Sequence, residues 1–222
     1  MAVLMQIEIE RLKKRLLTLS AEVESRVQQA VQALLNADRE LGLKVKAGDA
    51  QIDNMEIALE EECLKVLALH QPVAHDLRFV VSVLKINNDL ERVADFAVNI
   101  AERAIDLSGA IRIECPYDIQ KMAAKVKEML RVALDSLMMQ DTDMARTAIA
   151  MDDEVDHMHR GNFGKVKNAI RENPTIIDGL VLYLSISRYL ERMGDLATNI
   201  AEDVVYQIEG TIIRHGGIQQ EK

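Results

Sequence analysis

The sequence has few of the residues that interrupt helices or fill the cores of β-rich proteins. Its 222 residues include three prolines, no tryptophan and only 3% aromatic residues. Hydrophobic residues still make up 49% of the chain, so the core must be built from Leu, Ile, Val, Ala and Met. Long stretches without proline and an aliphatic core are typical of packed helices. The composition therefore predicts an all-α protein.

Further absences narrow the function. The net charge is −9 and the basic residues are dispersed, so the sequence offers no basic stripe for nucleic acid. No apolar run approaches the roughly 18 residues of a membrane span. The first residues have no basic flank of the kind that begins a signal peptide, and they are followed by Glu8 and Glu10. Cys63 and Cys115 share no motif, which favours reduced structural thiols. We therefore expect a cytoplasmic protein without membrane insertion or nucleic-acid binding.

What the chain does have is an internal repeat. Segment 90–102 reads LERVADFAVNIAE and recurs as segment 190–202, LERMGDLATNIAE, with nine of 13 positions identical. Two amphipathic helices could share apolar positions by accident, but here the Glu, Arg, Asp and Asn positions are copied too. Spacing of i, i+4, i+8 places three oxygen-bearing side chains of each copy on one helix face. These two ridges consist of Glu91, Asp95 and Asn99, and of Glu191, Asp195 and Asn199.

The repeat divides the chain into two similar halves, which we place at residues 1–110 and 111–222. Apolar residues recur at helical spacing through most of each half, and Pro72 and Pro174 precede the third helix of each. Three helices joined by short connections fold as an antiparallel bundle, so the predicted fold is all-α with two tandem three-helix bundles. We predict helices from Leu12 to Gly48, from Asp49 as N-cap to the break at Pro72, and over 74–107, 118–151, 152–172 and 176–209, with a linker at 108–117 and a frayed tail at 210–222.

Acidic pairs at i, i+4 spacing accompany both ridges. Asp49 with Asp53, and Asp152 with Asp156, occupy corresponding positions at an offset of 103. With 36 acidic residues in the chain, roughly six such pairs are expected by chance, so one pair alone proves nothing. Pairs copied in register are not expected by chance. Each pair sets like charges on one helix face, at a cost of roughly a few tenths of a kcal/mol. A bound cation would offset that repulsion.

The second and third helices of an antiparallel bundle lie side by side, so each acidic pair can face the ridge of its own half across a groove. Carboxylate and amide oxygens suit Mg, Ca, Mn or oxidised Fe, and carboxylates also bind Zn. The competing interpretation is a solvated face on which Arg92 and Arg192 form surface ion pairs worth about 0 to 1 kcal/mol. The asparagines are either ligands or hydrogen-bond partners of a neighbouring helix. The candidate metal ligands are Asp49, Asp53, Glu91, Asp95 and Asn99 in the first half, and Asp152, Asp156, Glu191, Asp195 and Asn199 in the second.

Signals for other chemistry are weaker. Glu154 and His157 form a Glu-x-x-His, which carboxylate-bridged di-iron bundle enzymes use, but the corresponding first-half residues are Gln51 and Asn54. His157 and His159 are expected at the surface. The sequence contains no glycine-rich phosphate loop and no G-x-S-x-G motif. We predict no enzyme activity, with a di-iron oxidase and a metal-free helical scaffold for basic partner segments as the alternatives.

The repeated segment, the Asp49-x-x-x-Asp53 pair and the sequence Pro-Val-Ala-His-Asp-Leu-Arg at 72–78 closely resemble the PhoU family over nearly the whole chain. The resemblance implies two similar three-helix bundles whose E(D)-x-x-x-D motifs hold metal ions such as Fe, Mn, Mg or Zn. It also implies a cytoplasmic homodimer, recruited to the inner face of the membrane through partners, without catalytic turnover. In that role it links the phosphate ABC transporter ATPase to a sensor histidine kinase, and it restrains phosphate uptake and phosphate-starvation genes when phosphate is plentiful.

Two departures from the family pattern distinguish the halves. Ala94 stands where many members, like Gly194 in the second copy, carry glycine. The second half also lacks the Pro-Val-Ala-His-Asp-Leu-Arg sequence and has PTIIDGL at 174–180 instead. The two halves are therefore not required to bind metal equally.

Overall fold

The described chain, residues 2–109 and 113–213 of the computed structural model, is built from helices, and no strand occurs within these ranges. Residues 110–112 of the predicted linker and 214–222 of the predicted tail lie outside the described residues. The helices are α1 (Ala2–Asn36), α2 (Arg39–Ala47), α3 (Asp49–His70), α4 (Ala74–Ser108), α5 (Ile119–Met139), α6 (Thr142–Glu172) and α7 (Ile177–Glu209), with a 3-10 turn at Pro174–Ile176 before α7.

Each half of the repeat forms three packed rods. The first half uses α1, then α2 with α3, then α4, and the second uses α5, α6 and α7. The third rods, α4 and α7, are the most deeply buried and pack against each other, so the two bundles share one aliphatic core. This confirms the predicted all-α fold of two tandem three-helix bundles. No helix within the described ranges is both long enough and apolar enough to cross a membrane.

The first predicted helix boundary is wrong. The helix expected to run from Leu12 to Gly48 is interrupted at Ala37, whose φ is 51°. Asp38 then caps α2 by accepting a hydrogen bond from the Leu41 N–H at 2.9 Å. Apolar spacing continues across this break, which is why periodicity alone does not reveal it.

The second half breaks at the corresponding place. Gln140 has φ 54°, and Asp141 caps α6, so the boundary predicted at Met151 and Asp152 is also wrong. Asp152 lies inside α6 instead of at a helix start. The single helix α6 corresponds at an offset of 103 to α2 and α3 together, which meet end to end at Gly48.

Asp49 begins α3 without capping it. The N-cap residue is Gly48, and no side-chain hydrogen bond caps this helix, so the predicted capping role of Asp49 is wrong. A Cβ at Gly48 would overlap the guanidinium of Arg26, so a larger residue here requires the Arg26 side chain to move. With no capping bond to make, the Asp49 carboxylate is available to neighbouring helices.

Replacing Asp141 with alanine is expected to lower the free energy of unfolding by about 1 kcal/mol, because the N–H groups of Asp143 and Met144 lose the carboxylate that caps them at 2.9 and 3.0 Å. Urea denaturation measures the loss. Asp141→Asn keeps a good cap and serves as the control. Equal stability of the alanine and asparagine variants would contradict the capping role.

Candidate functional site

The first acidic cluster lies between α3 and α4. Burial, followed by the negative charges of Asp53 on the same helix and Asp95 on α4, raises the pKa of Asp49. Burial and the charge of Asp53 raise the pKa of Asp95 in turn. The structure thus brings these three predicted residues into one electrostatically coupled group. The pKa of Glu91 is raised by burial and then by four carboxylates, Asp95, Glu56, Asp53 and Asp49.

Glu56 belongs to this cluster although the sequence analysis did not select it. It lies one turn beyond Asp53 on α3, and burial raises its pKa before the charges of Glu60 and Asp53 add to the effect. The amide of Asn87 on α4 donates hydrogen bonds to the Glu56 carbonyl at 2.9 Å and to its Oε1 at 3.2 Å. Its i+3 position relative to Asp53 continues the acidic face, which is the signal that could have identified it.

The second acidic cluster lies between α6 and α7. Burial raises the pKa of Asp152 to about 6, with further contributions from the charges of Asp195 and Asp156. Burial and then the charge of Asp195 raise the pKa of Glu191. Arg192 Nη1 donates to Asp195 Oδ2 at 3.3 Å and opposes the burial effect on that carboxyl. Four predicted ligands therefore meet here, and two arginines of α7 are part of their surroundings: Arg192, and Arg188, whose Nη1 donates to Glu191 Oε1 at 3.3 Å.

His159 occupies the position of α6 that corresponds to Glu56. Its Nδ1 lies 2.9 Å from Oγ of Ser187, the residue that corresponds to Asn87, and burial lowers its pKa. His159 is half-buried against α7, which corrects the expectation of a surface position, whereas His157 is exposed as predicted. The same pair of helix positions thus carries an acid–amide contact in one half and an imidazole–hydroxyl contact in the other.

Gly194 allows α6 to approach α7 closely at the second cluster. A Cβ at this position would lie 3.4 Å from Oδ1 of Asp152 and 3.4 Å from Cγ1 of Val155. The corresponding residue of the first half, the buried Ala94, does have a Cβ. At this contact the two halves therefore differ by one methyl group, that of Ala94.

Within the part of the chain that the structure describes, no three acidic, histidine or cysteine side chains form a group that could hold a metal ion. The clusters are coupled in charge but are not closed coordination shells. Their donor chemistry nevertheless suits a hard cation. In addition, Oε2 of Glu191 is buried and accepts no hydrogen bond, with Nε of Arg192 3.9 Å away. An underused buried carboxylate oxygen is costly, and a cation would relieve that cost.

The remaining sequence candidates are less well placed. Asn199 lines a cavity beside Asp195, while Asn99 is half-buried at the matching position of α4, and the role of both as ligands stays a prediction. Glu154 forms an ion pair with Lys125 of α5 at 3.0 Å, where it is half exposed. The Glu-x-x-His of α6 thus gives no support to a di-iron centre.

Taken together, these features define a duplicated three-helix-bundle protein with one carboxylate-rich groove in each half. The PhoU domain matches the sequence twice, at residues 16–104 and 119–204. The chain belongs to the PhoU family, as the resemblance predicted.

The similarity to other proteins extends over nearly the whole chain. A Pseudomonas putida protein described as a phosphate-specific transport system accessory protein PhoU homolog is 36% identical over 96% of this chain and 84% of its own length. The Escherichia coli K12 accessory protein PhoU is 29% identical over 95% of this chain and 87% of its own length. The crystal structure of PhoU from Pseudomonas aeruginosa superposes with a TM-score of 0.88 at 36% identity, covering 93% of this chain and 99% of that one. The phosphate transport system regulatory protein PhoU from Streptococcus pneumoniae gives 0.86 at 27% identity, with 94% and 98% covered.

Proposed function

We propose that this protein is a cytoplasmic negative regulator of phosphate uptake and phosphate signalling that acts by binding partners and metal ions, without catalysis. The accessory role is supported by relatives that share its full architecture and are described as transport-system accessory proteins. The metal-binding role is carried by one observation: like-charged carboxylates meet in register in both halves, where burial and then their mutual repulsion raise the pKa values of Asp49 and Asp152.

The chain's own side chains indicate how a cation would be held. In the second cluster, Asp152 and Asp156 project from α6 and Glu191 and Asp195 from α7, so both walls of the groove supply oxygens. Closing these oxygens around one point requires rotation about side-chain torsions, which the half-exposed aspartates can make. A bound Fe, Mn, Mg or Zn ion supplies the positive charge that the groove lacks.

Protein partners form the second part of the proposal. By family resemblance these are a second copy of the chain, the ATPase of the phosphate ABC transporter and a sensor histidine kinase. Exposed apolar residues around the loop between α3 and α4, Leu69, Val73 and Leu77, support a protein contact there. Co-purification from phosphate-rich cells is expected to recover the ATPase and the kinase, and recovery of neither with intact protein would contradict the linking role.

The metal prediction is tested on protein purified without chelator and without a nickel tag. Elemental analysis is expected to find bound metal in the wild type and a reduced content when Glu191→Gln is combined with Asp195→Asn. Glu91→Gln with Asp95→Asn makes the same test in the first half. Glu128→Gln is the control, because Glu128 pairs with Lys125 on α5 and belongs to neither cluster. Metal-free wild type, or equal content in all variants, would contradict the proposal.

A further inference from the structure

A cavity of about 280 Å³ lies where the two bundles meet, next to the second cluster. It shares Asp152, Asp195 and Asn199 with the second predicted groove, but α4 of the first half contributes a further wall. The polar lining consists of Arg92 from α4, Asp152 from α6, and Arg192, Asp195, Thr198 and Asn199 from α7.

The packing of α4 on α7 explains how both halves reach this cavity. The Ser82 hydroxyl donates to the carbonyl of Asp203 at 3.3 Å, and 14 residues further along α4 the Phe96 ring stacks on Tyr189 with centroids 5.9 Å apart. Residue numbers rise along α4 as they fall along α7, so the two helices run antiparallel. Because they are also copies of each other, an approximate two-fold axis passes between them.

Arg92 and Arg192 lie at this axis. They are equivalent in the repeat at an offset of 100, and interpolation between the two contacts above places them at nearly the same level. Both line the cavity. Two arginines that line one cavity can hold an oxyanion, since a guanidinium can donate two parallel hydrogen bonds. Arg192 Nη1 already donates to Asp195 Oδ2 at 3.3 Å, so Arg192 offers its remaining N–H groups.

The cavity also contains hydrogen-bonding capacity that the protein leaves unused. Oγ1 of Thr198 is buried and has no hydrogen-bond partner. Arg92 Nη1 forms an ion pair with Oδ1 of Asp89 at 3.9 Å, and its half-exposed side chain can still reach a ligand in the cavity. A tetrahedral oxyanion would supply acceptors to the guanidinium and, after rotation of the threonine side chain, to its hydroxyl.

We propose that this cavity binds inorganic phosphate between Arg92 and Arg192. In the metal-free protein, Asp152 and Asp195 discriminate in favour of phosphate, because at neutral pH phosphate retains an O–H that can donate to a carboxylate, whereas sulfate does not. The inference rests on the proposed function in one respect: a cation in the second cluster neutralises these two carboxylates and so strengthens phosphate binding. Phosphate would then contact both halves of the protein directly.

Equilibrium dialysis with labelled inorganic phosphate, with and without Mn²⁺, tests the proposal. Wild-type protein is expected to bind one phosphate, with little competition from sulfate in the absence of Mn²⁺, and to bind it more tightly when Mn²⁺ is present. Arg92→Gln and Arg192→Gln are each expected to weaken binding by at least about tenfold, because charge-assisted hydrogen bonds are lost. Arg103→Gln is the matched control, since Arg103 pairs with Asp106 elsewhere on α4. Arg92→Lys retains the charge without the bidentate geometry and should give an intermediate affinity.

The outcomes separate this inference from the proposed function. Absence of phosphate binding to the wild type, or equal affinity of the arginine variants, would overturn the phosphate site, whether or not Mn²⁺ binds in the same samples. Phosphate binding that depends on both arginines would support it even if no Mn²⁺ is retained, in which case the metal proposal fails alone. Competition by phosphoserine as strong as that by free phosphate would overturn the assignment to inorganic phosphate.

Discussion

Replacing Asp152 with asparagine is expected to stabilise the metal-free protein and to weaken its stabilisation by metal. Burial and the neighbouring Asp195 and Asp156 raise the pKa of Asp152 to about 6, so its negative charge destabilises the folded state at pH 7. Removing the charge should increase the free energy of unfolding by on the order of 1 kcal/mol, after discounting for solvent screening of this half-exposed group. Urea denaturation in the presence of a chelator measures the gain in the free energy of unfolding. The same titration with Mn²⁺ measures how much less the variant is stabilised by metal than the wild type.

The effect has a defined pH dependence. The folded-state pKa of Asp152 lies above its ordinary value of 3.8, so folded protein holds this proton more tightly than unfolded protein. Above pH of about 6, the charged Asp152 destabilises the folded state by its full amount. The effect shrinks as the pH falls through about 6, and it is absent below the ordinary pKa of 3.8. Wild type and Asp152→Asn should therefore converge in stability near pH 4. A variant that is less stable at pH 7 without metal would mean that the carboxylate makes stabilising contacts, and the metal argument would lose its basis.

Sequence periodicity predicts the third helices well. Helices α4 and α7 differ from the predicted 74–107 and 176–209 by one residue each, because long apolar stripes and a preceding proline mark them. The breaks before α2 and α6 were not predicted. Ala37 and Gln140 adopt positive φ although neither is glycine. Each ends its helix in a Schellman motif, in which the N–H groups of Asp38 and Asp141 donate to the carbonyls of Ala33 and Ser136 at 2.8 and 3.0 Å. The aspartates that follow them in both halves were the available signal.

The candidate site is partly encoded in local spacing. Positions i and i+4 place Asp49 with Asp53 on one face, and antiparallel packing of neighbouring rods brings Asp95 to them, as the coupled pKa values indicate. The cavity containing Arg92 and Arg192 was not predictable in this way. Its formation depends on where α4 crosses α7, and the spacing within either helix carries no information about that crossing.

Lys85 is expected to hold the two halves together, and Lys85→Met should lower the free energy of unfolding by about 2 to 3 kcal/mol. Its ammonium lies 3.1 Å from Oδ1 of Asp203 on α7, and the Asp203 side chain is only 2% exposed, so a buried carboxylate loses its cation. The ammonium also lies 5.2 Å from the ring centroid of Tyr206. Methionine keeps most of the apolar stem, so the change isolates the charge.

The matched comparison is Lys46→Met, which breaks the exposed 2.6 Å ion pair with Glu102 inside the first half and should cost less than about 1 kcal/mol. Urea denaturation of both variants gives the two losses directly. A double variant, Lys85→Met with Asp203→Asn, should recover part of the Lys85 loss, because the buried negative charge is then absent. Equal losses for Lys85 and Lys46 would show that the contact between α4 and α7 depends on the shared aliphatic core alone, and the charged pair between the halves would then have no role in stability.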